Sequence, residues 1–129
     1  MVLKVASAAD GSIACADGTS QWITGPVARS HSQMLRASSQ AILVGSGTAV
    51  ADDPRLTVRL EPSQLPKKWQ MPRDGGLTRV LLDARGRLTA GALLDATLAP
   101  TIVFTTEASR GSEARAAWEA AADADADAD

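Results

Sequence analysis

"AILVGSGTAVADDPRLTVRL" (Ala41–Leu60) sets the frame for the whole chain. Ala41–Val44 is an unbroken apolar run closed by Gly45, as in a strand covered on both faces. "GSGT" (Gly45–Thr48) then reads as a turn. Backbone N–H groups in such a turn can face a phosphate or an amide, and glycine lets a ligand come close. A plain strand-to-loop turn explains the same residues. The full dinucleotide fingerprint needs a third small residue where Val50 stands, and no Lys–Ser/Thr pair follows to make a phosphate loop. "ADDPRLTVR" (Ala51–Arg59) is richer in chemistry. Asp52 or Asp53 can accept from ribose or carboxamide groups, and Arg55 and Arg59 offer forked donors to phosphate. A solvated loop with an aspartate capping a turn before Pro54 is the bland alternative.

Upstream, "ITGPVARSHSQMLRASSQ" (Ile23–Gln40) reads as a helix. Thr24 or Gly25 caps it, and Pro26 suits the first turn because its missing N–H costs nothing there. Val27, His31, Met34 and Leu35 fall on one side. "VLKVAS" (Val2–Ser7) reads as a short strand, and "ADG" (Ala9–Gly11) as a turn. "SIACA" (Ser12–Ala16) fits a second strand or an extended loop equally well. Strand, helix, strand in this order favours a right-handed crossover into a parallel sheet.

Downstream, "LTVRL" (Leu56–Leu60) reads as a short extended piece. Residues 61–78 carry Pro62, Pro66, Pro72, Gly75 and Gly76 and read as a surface loop holding Trp69. "RVLLD" (Arg79–Asp83) and "TIVFTT" (Thr101–Thr106) are the next strands. "SEARAAWEAAA" (Ser112–Ala122) is an alanine-rich helix candidate, and the acidic repeat that follows has no apolar face and reads as disordered.

Composition narrows the function. The 129 residues are 45% hydrophobic, enough for one core, and the formal net charge is only -2. Neither nucleic acid nor an anionic membrane is indicated. Trp22, Trp69, Trp118 and Phe104 are the only aromatics, too few for a base-stacking platform. Cys15 and His31 are the single cysteine and histidine, so no internal disulfide and no four-ligand zinc site can be drawn from them, and no metal is expected. The start is too short in apolar residues for a signal peptide, and no run reaches a membrane span. The chain reads as cytoplasmic, or plastidic if its source is a plant or alga.

Four segments follow one another in a familiar order: "LKVASAADGSIA" (Leu3–Ala14), "GTSQWITGPVAR" (Gly18–Arg29), "LRASSQAILVGSGTAVADDPRLTVR" (Leu35–Arg59) and "VLLDARGRL" (Val80–Leu88). Over about residues 2–106 the chain resembles the reductase domain of the bifunctional riboflavin-biosynthesis deaminase–reductase. That resemblance implies an α/β, dihydrofolate-reductase-like fold, with a mostly parallel sheet and flanking helices. It implies NADPH as cofactor and a phosphorylated ribosylaminopyrimidine as substrate. The product would carry a ribityl chain. Carried over residue by residue, it places Ala6, Trp22, Thr48, Asp52 and Ala84 at the cofactor. Ser20, Arg36, Leu56 and Arg59 fall to the substrate, and Lys4 lies near the reacting carbon as a catalytic candidate. A homodimer is compatible with the resemblance.

Two departures stand out. Ala84 replaces the family's usual serine, removing a hydroxyl from the cofactor's 2′-phosphate, with Arg85 or Arg87 near enough in sequence to compensate. The family's later part, with its Gly-Gly turn, an acidic substrate residue and the last strands, finds no counterpart, nor does a zinc deaminase motif. The domain expectation is therefore 1–110 as the N-terminal portion of the reductase domain, 111–122 as the helix candidate and 123–129 as a disordered acidic tail. The alternatives are a reductase of another pterin or pyrimidine in the same superfamily, and a non-catalytic truncated remnant.

Overall fold

The computed structural model describes residues 1–66 and 76–126. Its regular elements are α1 (Pro26–Ala37), β1 (Ala41–Gly45), α2 (Ser46–Asp52), β2 (Thr78–Leu82), β3 (Thr101–Phe104) and α3 (Glu113–Ala126), with short 3-10 turns between them. The strands form one parallel sheet in the order β1-β2-β3. Gly45 lies opposite Leu82, and Leu82 opposite Phe104, so the three carboxyl ends finish level.

Helix α1 starts as the sequence indicates. Gly25 is its extended N-cap and Pro26 its first residue. Arg36 sits in the last turn, where a cation complements the dipole. The expected apolar side is only partly used: Met34 and Leu35 are half-buried, while Val27 and His31 are exposed.

One face of the sheet is covered. Ile42, Val44 and Val103 pack on a cluster of Ala49, Leu56, Leu81, Leu88 and Leu93. The other face is bare, with Leu43 58% and Phe104 59% exposed beside Leu82 and Ile102. This corrects the expectation that Ala41–Val44 is covered on both faces. Alternation decides it: Ile42 and Val44 face the cluster, so Leu43 must face the opposite way.

"GSGT" is also not an isolated turn. Gly45 is the extended cap of α2, and Ser46–Thr48 form its first turn. The Ala49-Val50-Ala51 run favours helix, and Asp53 ends it in the left-handed region at φ 40°. "LTVRL" forms no strand. Leu56 itself has φ 54° and drops its side chain into the core, which breaks the extended run.

Residues 2–7 form no strand either. A strand needs a ladder partner, and β1 pairs only with β2. The segment is instead shaped by tight turns. Gly11 N–H bonds Ala8 C=O, and Gly18 N–H bonds Cys15 C=O, with "SIACA" irregular between them.

The acidic tail splits. Helix α3 continues through Asp123 to Ala126, into the stretch expected to be disordered, because alternating alanine sustains it. Residues 127–129, and residues 67–75 of the expected surface loop with Trp69, lie outside the described residues.

Arg79 is the largest fully buried side chain. Its guanidinium donates to the carbonyls of Ala92 at 2.7 Å, Asp95 at 2.8 Å and Ala99, with a longer contact to Arg55 C=O. Desolvation lowers its pKa, and nearby Asp95 opposes that shift. Four carbonyls thus stand in for a carboxylate, and three of them tie the 92–99 loop to β2.

Candidate functional site

A cleft of about 540 Å³ opens at the carboxyl ends of the three strands. That is where open parallel sheets hold their ligands. Gly45, Ser46 and Gly47 form one wall, Leu82 and Phe104 an apolar floor. Ala84, Arg85 and Arg87 come from the turn after β2, and Thr105 and Thr106 from the end of β3.

The two far walls are laced together. Thr105 Oγ1 donates to Asp83 C=O and Thr106 Oγ1 to Ala84 C=O, both at 2.7 Å. Asp83 is fully buried, and its Oδ2 accepts from Arg87 N–H at 2.7 Å and Leu88 N–H at 2.9 Å. Arg85 and Arg87 are exposed at the rim. Among the described residues the ion pairs are Glu107–Arg110 and Arg115–Glu119, so neither rim arginine is neutralised there.

A second cationic cluster lies against α1. Arg36 Nη1 donates to Thr57 C=O at 3.2 Å, and Gln33 Oε1 accepts from Arg59 N–H at 3.1 Å. These bonds draw the Leu56–Leu60 segment onto the helix. Burial lowers the pKa of Arg36, and the neighbouring Arg59 guanidinium lowers it further. Two cations held side by side, with no carboxylate partner among the described residues, are an arrangement that an anion relieves.

The positions named from the sequence are distributed unevenly. Ala84 lines the cleft. Thr48 and Asp52 are exposed on α2 and do not border it. Leu56 is only 5% exposed, packed in the core cluster beside the arginine pair. Lys4 and Ser20 are exposed and Ala6 half-buried on the irregular N-terminal segment. Trp22 is 72% exposed, with the Arg29 guanidinium 4.5 Å from its ring centroid. Asp53 serves the scaffold: its Oδ1 accepts from Ala92 N–H at 2.7 Å. Asp83, Thr105 and Thr106 escaped the sequence reading. Their signal was faint: a polar residue straight after an apolar strand, at two adjacent strand ends.

The family described as "RibD C-terminal domain" matches residues 1–121. The chain belongs to this family. The match reaches past Thr106 into α3, so the first part of the alanine-rich helix, up to Ala121, lies within the match to the RibD C-terminal domain. The riboflavin biosynthesis protein RibD of Chlamydia pneumoniae is 43% identical over 106 residues, which is 82% of this chain and 26% of that protein. RibD of Escherichia coli (strain K12) is 45% identical over 91 residues, 67% of this chain and 24% of that one. Among solved structures, the diaminohydroxyphosphoribosylaminopyrimidine deaminase/5-amino-6-(5-phosphoribosylamino)uracil reductase of Thermotoga maritima superposes with a TM-score of 0.62 at 35% identity. It covers 78% of this chain and 26% of its own. Acinetobacter baumannii RibD gives 0.59 at 35% identity, covering 88% and 30%. The matched regions therefore span 24% to 30% of the length of these relatives. Its three parallel strands and helices are part of a dihydrofolate-reductase-like RibD fold. Among the described residues no helix is long and apolar enough to cross a membrane.

Proposed function

We propose that this chain forms part of the NADPH-dependent reductase of riboflavin biosynthesis, acting on 5-amino-6-(5-phosphoribosylamino)uracil. The observation that carries the reading is the Arg36–Arg59 pair: two cations that the Thr57 and Gln33 bonds bring to one end of α1, with no carboxylate partner among the described residues, suited to a phosphate monoester. The cleft at the strand ends suits the cofactor. Its apolar floor, small-residue wall and two rim cations match a flat ring system joined to phosphates. NADPH supplies the hydride.

The protein's part is to hold the two reactants in line. Arg36 and Arg59 fix the substrate's phosphate end, with Ser20 and Leu56 beside it. Reduction opens the ribosyl C–O bond, adds hydride to that carbon and leaves a proton on the freed oxygen. Lys4 is the candidate to give that proton or steady the developing charge. Ala6, Trp22, Thr48 and Asp52 remain cofactor candidates, alongside Ala84. Lys4, Ala6, Ser20 and Trp22 do not border the cleft, so they must be brought to it before chemistry.

A reductase of an unphosphorylated pterin or pyrimidine has no use for both arginines, so the pair argues against that alternative. A non-catalytic remnant has no use for the pair either. The test is calorimetric titration of the ribosylaminopyrimidine phosphate and of NADPH. Arg36→Ala and Arg59→Ala each weaken the phosphorylated pyrimidine by about 1.5–3 kcal/mol, roughly tenfold or more, and leave NADPH nearly unchanged. Equal losses for both ligands overturn the assignment.

A further inference from the structure

By composition helix α3 is a spacer. Its packing is that of a structural member. Ala114 is fully buried, and Trp118 is only 9% exposed. The Trp118 indole N–H donates to Leu88 C=O at 2.9 Å. The helix start presses on the same loop: a Cβ on Gly86 would lie 2.5 Å from Ser112 Oγ, and Gly86 has φ +67°. Only glycine allows that approach.

Leu88 is therefore held at both ends of its own residue. Asp83 takes its N–H from one side, and Trp118 gives a proton to its carbonyl from the other. The adjoining Arg87 N–H is also fixed by Asp83, and Arg87 lines the cleft. The loop that presents Arg85 and Arg87 is thus set by two anchors, one on β2 and one on α3. A guanidinium on an unanchored turn loses binding energy to ordering, and a fixed turn avoids that loss.

We propose that Trp118 is a positioning residue for the cleft, acting through Leu88 to hold the Arg85–Arg87 loop in the shape that receives a ribose phosphate monoester. This rests on the reading of the cleft as the NADPH site. It makes α3 part of the ligand machinery. The hydrogen bond, rather than the bulk of the indole, is the active element, because it fixes a backbone carbonyl that packing alone leaves free to rotate.

The experiment replaces that bond and keeps the bulk. Trp118→Phe is one variant; the second substitutes 3-benzothienylalanine, which exchanges only the indole N–H for sulfur and preserves the fold if phenylalanine does not. Adenosine 2′,5′-bisphosphate and adenosine 5′-monophosphate are titrated into the 129-residue chain by calorimetry. Loss of the bond weakens the bisphosphate about three- to tenfold, the span of one neutral hydrogen bond, and barely moves the monophosphate. In an Arg87→Ala background the same change has no further effect. Equal bisphosphate affinity with and without the indole N–H, or the same loss in both backgrounds, overturns the proposal.

Amide hydrogen exchange separates the clamp from the reading beneath it. Arg87 and Leu88 amides exchange faster once the bond is gone, while Leu81 and Val103 keep their protection. If unaltered protein ignores both nucleotides, the NADPH reading of the cleft fails and the ligand role of Trp118 falls with it. Unchanged exchange at Arg87 and Leu88 overturns the clamp whatever the nucleotides do.

Discussion

Residues 1–25 and the loops at the carboxyl ends of β2 and β3 both carry ligand-site candidates, and they are held in opposite ways. The β2 loop is held from outside by Thr105, Thr106 and Trp118, which bond its carbonyls, and from within by Asp83, which bonds its N–H groups. The N-terminal segment has its own tight turns and, at its far end, Arg29 of α1 on Thr24 C=O and on the Trp22 ring, while Val2, Leu3 and Val5 stand exposed. Both are irregular, so secondary structure does not separate them. The difference is where their partners lie. Every anchor of the β2 loop comes from within residues 83–118. The N-terminal segment has the alternation of a strand but pairs with no strand of the described sheet. A site residue is therefore preformed only where its supports belong to the same stretch of chain.

Five substitutions sharpen or break this contrast. The largest effect belongs to the shared core. Leu81→Ala, at a fully buried position, lowers unfolding free energy by about 2–5 kcal/mol in urea. A loss below 1 kcal/mol, on the order of a surface change, means that the sheet does not hold this core in solution.

Next comes the anchored loop. Asp83→Ala strands the Arg87 and Leu88 N–H groups and costs about 1–3 kcal/mol. Thermal melting reads the loss, and faster amide exchange confined to residues 84–88 locates it. If exchange rises evenly over the whole chain, the loop is not a separately held unit.

Phe104→Lys tests the bare face. At 59% exposure it changes stability by no more than about 0.5 kcal/mol. Apolar dye binding and concentration-dependent association in sedimentation both fall, because Leu43, Leu82, Ile102 and Phe104 form one exposed apolar strip. A large loss of stability instead reveals that something in the chain covers this face.

The smallest effect is at the start of the chain. Leu3→Ala and Val5→Ala stay within about 0.5 kcal/mol of the parent. A loss of several times that in either one shows that the segment docks, and the contrast between the two regions collapses.

The legibility of the sequence follows the same division. Helix α1, β1, β2 and β3 were readable because each rests on local signals: Pro26 after a cap, apolar runs closed by glycine or followed by a turn. The Arg36–Arg59 pair was readable only through family likeness, since no spacing rule joins a helix end to a loop twenty-odd residues on. The helix over Ser46–Asp52 was hidden by the glycines around Ser46, which looked like a turn by themselves. The missing strand at Val2–Ser7 had the right alternation, but pairing is a property of two segments. The docking of Trp118 was not legible, because its alanine-rich surroundings carry no apolar stripe and one large side chain was enough to dock the helix. Asp83 and Arg79 gave no warning of burial: their partners are backbone atoms, which no residue type announces.

Arg79 also imposes an order of assembly. Three of the four carbonyls that receive its guanidinium belong to Ala92, Asp95 and Ala99, all later in the chain than β2 itself. Sealing a cation away from water without its acceptors costs several kcal/mol, on the scale of an unpaired buried ion. As the polypeptide emerges from the ribosome, β2 can meet β1 early but cannot close over its arginine until Ala99 has appeared. The charge works as a timer in the middle of the sheet, holding that layer open to solvent until the third strand is about to arrive.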